Sequence, residues 1–228
     1  MLNTKHEQIR DLQLFKDISD GSFQSLTRAA YVQNFPPQTQ LITEGDPPDF
    51  LHIVESGLVE LFGTWAGRET TISTVRPVAT FILAASINDR PYLMSARTLD
   101  KSRIIMIPSE DVRAVFKQDP DFARAIVTEL AGCYRTSIKN TKNLKLRTSR
   151  ERLANYLLKL HQRTGSDEFD LLYEKRILAS YLGMTPENLS RSFKALSDFG
   201  VNVEGLRVTL SDKEALAGYA NPDELIDG

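Results

Sequence analysis

Glu187, Asn188, Ser190, Arg191 and Lys194 stand within eight residues of one another, and their types and spacing carry the most specific chemistry in this sequence. A carboxylate accepts a hydrogen bond from the cytosine N4 amine, and a guanidinium donates two, to O6 and N7 of guanine. Glu187 and Arg191 are four residues apart, so on a helix they share one face. Ser190 suits a base edge or a thymine methyl, while Thr185, Asn188 and Lys194 suit phosphates. Together this is the chemistry of reading a DNA major groove.

Such groups need a rigid support, and Lys175 to Leu196 supplies one. Ile177, Leu178, Tyr181 and Leu182 mark a first short helix, and Gly183 is the residue that ends a helix in a left-handed conformation. Thr185 then caps a second helix, Pro186 occupies its first position and Glu187 meets its positive end. Leu189, Phe193 and Leu196 recur at helical spacing as its buried face. Helix-turn-helix geometry is also ordinary helical packing. Here a β-rich tail follows, with Val201, Val203, Leu206, Val208 and Leu210 around Gly205, as in the small wing of a winged helix.

The 228 residues are 41% hydrophobic with a net charge of −2, which permits real cores and excludes a chain that is basic throughout. Charge is distributed unevenly. From Arg135 to Arg152 seven basic residues (Arg135, Lys139, Lys142, Lys145, Arg147, Arg150 and Arg152) face one acid, Glu151. A solvated helix face explains such a run, and so does phosphate contact just ahead of the reading head. No apolar run approaches the roughly 18 residues of a membrane span, and no signal peptide opens the chain. The single cysteine, Cys133, excludes an intrachain disulfide. A cytoplasmic protein is expected.

Residues 1–30 read as helical, with Leu12, Leu14, Phe15, Ile18, Phe23 and Leu26 inward and a break near Ser19. From Tyr31 to Ile107 short apolar runs alternate with turn residues. Leu51–Val54, Leu58–Phe62, Thr70–Ile72 and Arg103–Ile107 read as strands of a small antiparallel barrel or sandwich. Ser109 is expected to cap a helix through Phe116. A longer helix begins at Asp119-Pro120 and runs to about Lys145, roughly 26 residues or about 40 Å. Along it Ile126, Leu130, Cys133, Ser137, Asn140 and Leu144 are separated by four, three, four, three and four, the coiled-coil period. Ile126, Leu130, Cys133, Ser137 and Leu144 are therefore expected to line a homodimer interface, with burial against the chain's own barrel as the competing role. After a hinge near 147–149 a further helix places Leu153, Tyr156, Leu157 and Leu160 inward.

The order is now sensor barrel (1–118), dimerisation helix (119–146) and winged helix-turn-helix (147–228), an α+β chain. At this point the sequence resembles the Crp/Fnr family of bacterial transcription regulators over nearly its whole length. The resemblance includes Glu44-Gly45-Asp46 and Leu51-His52-Ile53-Val54-Glu55-Ser56-Gly57, which look like that family's cyclic-nucleotide-binding-like β-barrel. Glu187-x-x-Ser190-Arg191 resembles the Fnr-type pattern E-x-x-S-R, and departs from the catabolite-activator pattern in lacking an Arg before the Glu and a Gly at 190. The resemblance implies a TTGAT-type half-site in an inverted repeat, an allosteric homodimer, RNA polymerase as a partner and no enzymatic activity. No Ser-His-Asp arrangement, metal cluster or glycine-rich phosphate loop speaks for catalysis.

The effector is harder to read. The family's cyclic-nucleotide cassette has a Gly-Glu pair after a Phe-Ile and an Arg-Ser pair before the next strand. Here those places hold Leu83-Ala84 and Tyr92-Leu93, and a buried phosphate without a cation is costly, so cyclic AMP is not expected unless Arg90 or Arg97 takes the role. One cysteine does not hold a four-cysteine iron–sulfur cluster. Cys133 is either a redox thiol or, preferably, a buried apolar residue. His52 on a strand is either a packed residue or a haem ligand, and His6 and His161 have no partners at metal-ligand spacing. The remaining pocket, Phe81, Ile82, Leu83, Ala84, Tyr92, Leu93 and Met94 with Cys133 and Ser137 facing it from the helix, suits a small apolar or aromatic effector. Its alternatives are a pocket filled by its own side chains, giving an effector-independent regulator, or a non-specific structural DNA-binding protein. No cofactor is certain.

Overall fold

The computed structural model describes residues 7–228, so His6 lies outside the described residues. The chain divides into two compact units between Cys133 and Tyr134.

The first unit opens with α1 (Glu7–Arg10) and α2 (Asp20–Arg28). Residues 11–18 between them form turns rather than helix, which lets Leu14, Phe15 and Ile18 all point inward. Strands β1 (Tyr31–Phe35), β2 (Gln40–Ile42), β3 (Phe50–Ser56), β4 (Val59–Trp65), β5 (Arg68–Val75) and β6 (Ala79–Phe81) follow. Then come α3 (Leu83–Asn88), β7 (Ser95–Thr98) and β8 (Ser102–Pro108). The strands build two antiparallel sheets, ordered β1-β8-β3-β6 and β2-β7-β4-β5. Alternation sends Leu51, Ile53, Ile105 and Ile107 to the outer face of the first sheet, where helices cover them. Val54, Phe81 and Ile104 leave its inner face and meet Ile42, Val59, Leu61 and Ala96 from the second sheet. A sandwich results.

Helices α4 (Ser109–Gln118) and α5 (Pro120–Leu146) come next. Ser109 does not cap α4. It is the first helical residue after Pro108; its amide donates to the Asp49 carbonyl at 2.9 Å, and its hydroxyl accepts from no helix amide. Asp119 starts α5: its Oδ1 accepts from the amides of Asp121 and Phe122 at 3.0 and 3.1 Å, and its Oδ2 from Ser19 at 3.2 Å. Hydrogen bonding, from the Ser22 hydroxyl above all, holds this carboxyl well below the usual carboxylate range.

Of the stripe expected on α5, Cys133, Ser137 and Leu144 are exposed, whereas its N-terminal end turns inward. Ile126 is 1% exposed and belongs to the first unit's own core, and Leu130 packs partly against it. The outward apolar set is instead Val127, Ala131, Tyr134 and Ile138, spaced four, three and four, with Val127, Tyr134 and Ile138 62%, 68% and 44% exposed. One residue is about 100° of helix rotation, so at the N-terminal end of α5 Val127 points away from the core that covers Ile126. Cys133 is exposed rather than buried, and Ser137 is exposed beside it.

In the second unit Thr148 and Glu151 form a reciprocal capping box that starts α6 (Ser149–Thr164). The sequence then forms β9 (Glu168–Asp170), α7 (Lys175–Tyr181), α8 (Pro186–Leu196), β10 (Val201–Glu204), β11 (Arg207–Leu210), α9 (Lys213–Ala220) and α10 (Glu224–Asp227). Strands β10, β11 and β9 make a small antiparallel sheet. Strand β9 and helices α9 and α10 are short and carry little apolar period.

Candidate nucleic-acid interface

Local signals place α8. Gly183 has φ +64°, the Thr185 hydroxyl accepts from the Asn188 amide at 3.2 Å and Pro186 occupies the first turn. Leu189, Phe193 and Leu196 are buried, and α8 packs on α6 and α7. Lys175 of α7 lies over the Phe193 ring, 5.7 Å from its centroid, a cation–π contact across the two helices. The opposite face carries Glu187, Ser190, Arg191 and Lys194, all exposed, with Thr185 exposed and Asn188 half-buried at its start.

The Glu187 carboxyl is held below its ordinary value. Its own backbone amide is the main cause, the Thr185 hydroxyl the next, and Arg191 one turn away adds to both. It is therefore an anion and a pure acceptor at neutral pH. The Ser190 hydroxyl donates to the Pro186 carbonyl at 3.1 Å, which leaves its oxygen lone pairs facing outward. The helix thus presents an acceptor and a forked donor one turn apart on a convex, anchored surface.

Parts of the basic run serve the fold. Arg147 donates to both carboxylate oxygens of Asp227, at 2.7 and 2.6 Å, and Lys139 donates to the Gly228 carbonyl. Arg152 is buried among backbone carbonyls. Their charges were legible in sequence; their partners, up to 89 residues away, were not.

The nine residues expected around an effector do not converge. Phe81, Ile82, Tyr92 and Met94 share the sandwich interior, Leu83 joins the helix-side core, and Ala84, Leu93, Cys133 and Ser137 are exposed. The divergence follows from strand and helix periodicity, which sends neighbours to opposite sides. Tyr92 is buried, and its hydroxyl donates to the Phe50 carbonyl at 3.2 Å. Burial, the largest cause, pushes that phenol above its ordinary value. Arg97 leaves the opposite side of β7 from Ala96. Its Nε donates to Glu60 at 2.7 Å, its Nη1 to Glu69 at 2.9 Å, and it lies over the Phe62 ring at 4.2 Å. Arg90 is exposed, like Ala84. The cassette places themselves, Leu83-Ala84 and Tyr92-Leu93, offer neither the carboxylate nor the guanidinium that a cyclic nucleotide would need, and Arg97 is already engaged by two carboxylates.

His52 packs between Phe50 and Phe81, ring centroids 6.3 and 5.2 Å away. It is 4% exposed, its Nδ1 has no partner, and burial lowers its pKa to about 4. Aromatic rings thus flank the imidazole, as the packed reading of His52 expects. A concavity of about 510 Å3, unforeseen in the sequence, lies on the second sheet among Gln40, Thr43, Glu44, Phe62, Thr64, Glu69 and Ser95. Among the described residues no His/Cys/Asp/Glu group is placed to hold a metal, and no helix is long and apolar enough to cross a membrane.

Comparison with known proteins agrees with both halves of this description. Residues 32–119 match the cyclic nucleotide-binding domain family and residues 151–219 the Crp-like helix-turn-helix domain. The "CRP-like cAMP-activated global transcriptional regulator" of Mycobacterium tuberculosis is 28% identical over 220 residues, covering 91% of this chain and 96% of that protein. The "Transcriptional activator protein anr" of Pseudomonas aeruginosa is 24% identical over 79% of this chain and 76% of its own. Among solved structures, a putative cAMP-binding regulatory protein from Silicibacter pomeroyi aligns with a TM-score of 0.60 at 27% identity, over 92% of this chain and 94% of that one. FixK2 from Bradyrhizobium japonicum shares the fold, with a TM-score of 0.72 at 20% identity over 83% of this chain and 96% of its own. A sensor sandwich, a long helix and a DNA-reading winged helix, matched in this order by such relatives, make the chain a member of the Crp/Fnr family of DNA-binding transcription regulators.

Proposed function

We propose that this regulator works as a homodimer on an inverted repeat of TTGAT-type half-sites. In each half-site Glu187 accepts from a cytosine amine, Arg191 grips a guanine and Ser190 meets a neighbouring base edge. Thr185, Asn188 and Lys194 hold phosphates. The observation that carries this reading is the exposed acceptor–donor pair on α8, one turn apart and backed by a buried apolar face. Residues 119–146 join the two copies through the outward stripe Val127, Ala131, Tyr134 and Ile138, with Leu130, Cys133 and Ser137 beside it. A twofold pair sets the two heads about one DNA turn apart, near 34 Å. RNA polymerase is the onward partner of such a DNA-bound dimer.

Residues 1–118 form the sensor, and its effector is a small apolar or aromatic molecule other than cyclic AMP. The support is the Tyr92 and Ala84 chemistry at the cassette and an interior of Phe81, Ile82, Tyr92 and Met94 around a neutral His52. A second reading, a regulator active without an effector, is favoured by one observation: the Tyr92 hydroxyl is already satisfied by Phe50. Light scattering and gel-shift titration on TTGAT repeats test the first part. A monomer, or equal affinity for scrambled duplexes, refutes it. A thermal-shift panel of aromatic acids with cyclic AMP as control separates the two sensor readings, and a silent panel selects the second.

A further inference from the structure

Arg152 is 8% exposed, and its guanidinium is met by backbone carbonyls. Nε donates to Leu182 at 2.8 Å and Nη2 to Gly183 at 3.2 Å, while Nη1 donates to Arg147 at 2.7 Å and Leu144 at 3.5 Å. Leu144 and Arg147 lie at the end of α5; Leu182 and Gly183 lie at the end of α7. The last carbonyls of a helix lack partners within it, and the helix dipole is negative there. One planar fork therefore satisfies two helix ends at once, a geometry that the single ammonium of lysine does not reproduce.

Two independent contacts close the same corner. A Cβ at Gly183 would stand 2.7 Å from Leu144 Cδ2, so the turn lies directly against the last turn of α5. Arg147, the residue after α5, is clamped to Asp227 by two hydrogen bonds. Thr185, which starts α8, is two residues beyond Gly183. The direction of the turn is the direction of the recognition helix.

We propose that Arg152 is a specificity-determining positioning residue: by holding the carbonyl ends of α5 and α7 together, it fixes the angle of α8 to the dimer helix and so sets the half-site spacing that the protein accepts. This rests on the reading of a homodimer on an inverted repeat. Arg152 touches no base in that reading, so its effect falls on spacing rather than on base identity.

The test uses full-length wild type, R152M and R152K. Fluorescence anisotropy measures affinity for a single half-site duplex and for inverted repeats whose spacer is optimal, or shorter or longer by about 2 bp. Wild type is expected to prefer one spacer. R152M is expected to bind the single half-site within about threefold of wild type while its preference among spacers falls by about tenfold or more. R152K, which keeps the charge but not the fork, is expected to lose most of the same preference. Should a thermal melt show that R152M does not fold, R152K decides by the same criterion. Retention of wild-type spacer preference overturns the proposal, and so does a parallel fall in half-site and repeat affinity. A wild type that is monomeric or indifferent to spacing refutes the dimer reading itself, and with it this one.

Discussion

Replacing Gly183 with alanine probes the corner where the long helix meets the reading head. Two costs arise. At φ +64° a Cβ costs about 1–2 kcal/mol of backbone strain. That Cβ would also stand 2.7 Å from Leu144 Cδ2, an overpacking that costs about 1–3 kcal/mol where the neighbour has little room to move. Gly205 is the control: its φ is +60°, and a Cβ there meets nothing within 4 Å. Loss of unfolded-chain entropy favours alanine equally at both places and cancels in the difference. Gly183→Ala is therefore expected to destabilise the second unit by about 1–3 kcal/mol more than Gly205→Ala. Hydrogen exchange of buried α6 amides in the full chain reads both variants at one place, without assuming two-state unfolding of two units. In a Leu144→Ala background the excess at Gly183 is expected to vanish. Equal costs at the two glycines, or an excess untouched by Leu144→Ala, would refute the packing described for this corner.

Other outcomes follow from the same geometry. Thr185→Ala removes the cap on the Asn188 amide and is expected to cost about 1 kcal/mol, read by exchange at the first amides of α8, with Thr185→Ser restoring most of it. Asp119→Ala leaves the amides of Ser19, Asp121 and Phe122 without their charged acceptor and is expected to destabilise the first unit by about 1.5–3 kcal/mol, measured by hydrogen exchange of the buried β3 and β8 amides. Because the folded Asp119 carboxyl is depressed, its contribution is present above the ordinary carboxylate range and is lost as pH falls below it; the variant should flatten the acid limb of the stability curve. Arg191→Ala is expected to remove about 1–3 kcal/mol of discrimination at one guanine while leaving weak, salt-sensitive binding. A variant that still prefers its operator as wild type does would show that Arg191 reads no base.

The recognition helix was legible because its determinants are local. Gly183, Thr185 and Pro186 act within four residues of one another, and Leu189, Phe193 and Leu196 declare one buried face. Strand β4 was partly legible: Leu58–Phe62 marks its apolar half, whereas Gly63, Thr64 and Trp65 join only through pairing with β5. The α5 stripe shows where local reading stops. Ile126 and Val127 are adjacent and both apolar, and only the sandwich packed beneath the helix decides which is covered. The cassette is a further case. Residue types alone showed that the carboxylate and guanidinium were missing. That Arg97 does not supply the cation is known from its pairing with Glu60 and Glu69, both distant in the chain.

By itself the sequence determined the order of the two halves, the two short helices and their turn, the span of the long helix, and the side chains left exposed on α8. Each of these depends on spacing within about a turn or a strand, where side-chain direction follows from backbone period. Tertiary structure alone decided which face of α5 stays open, which cations are spent inside the fold, and that Arg152 gathers the ends of two helices. Those are matters of which distant groups meet in low-dielectric surroundings, and a linear pattern of residue types does not contain that distance.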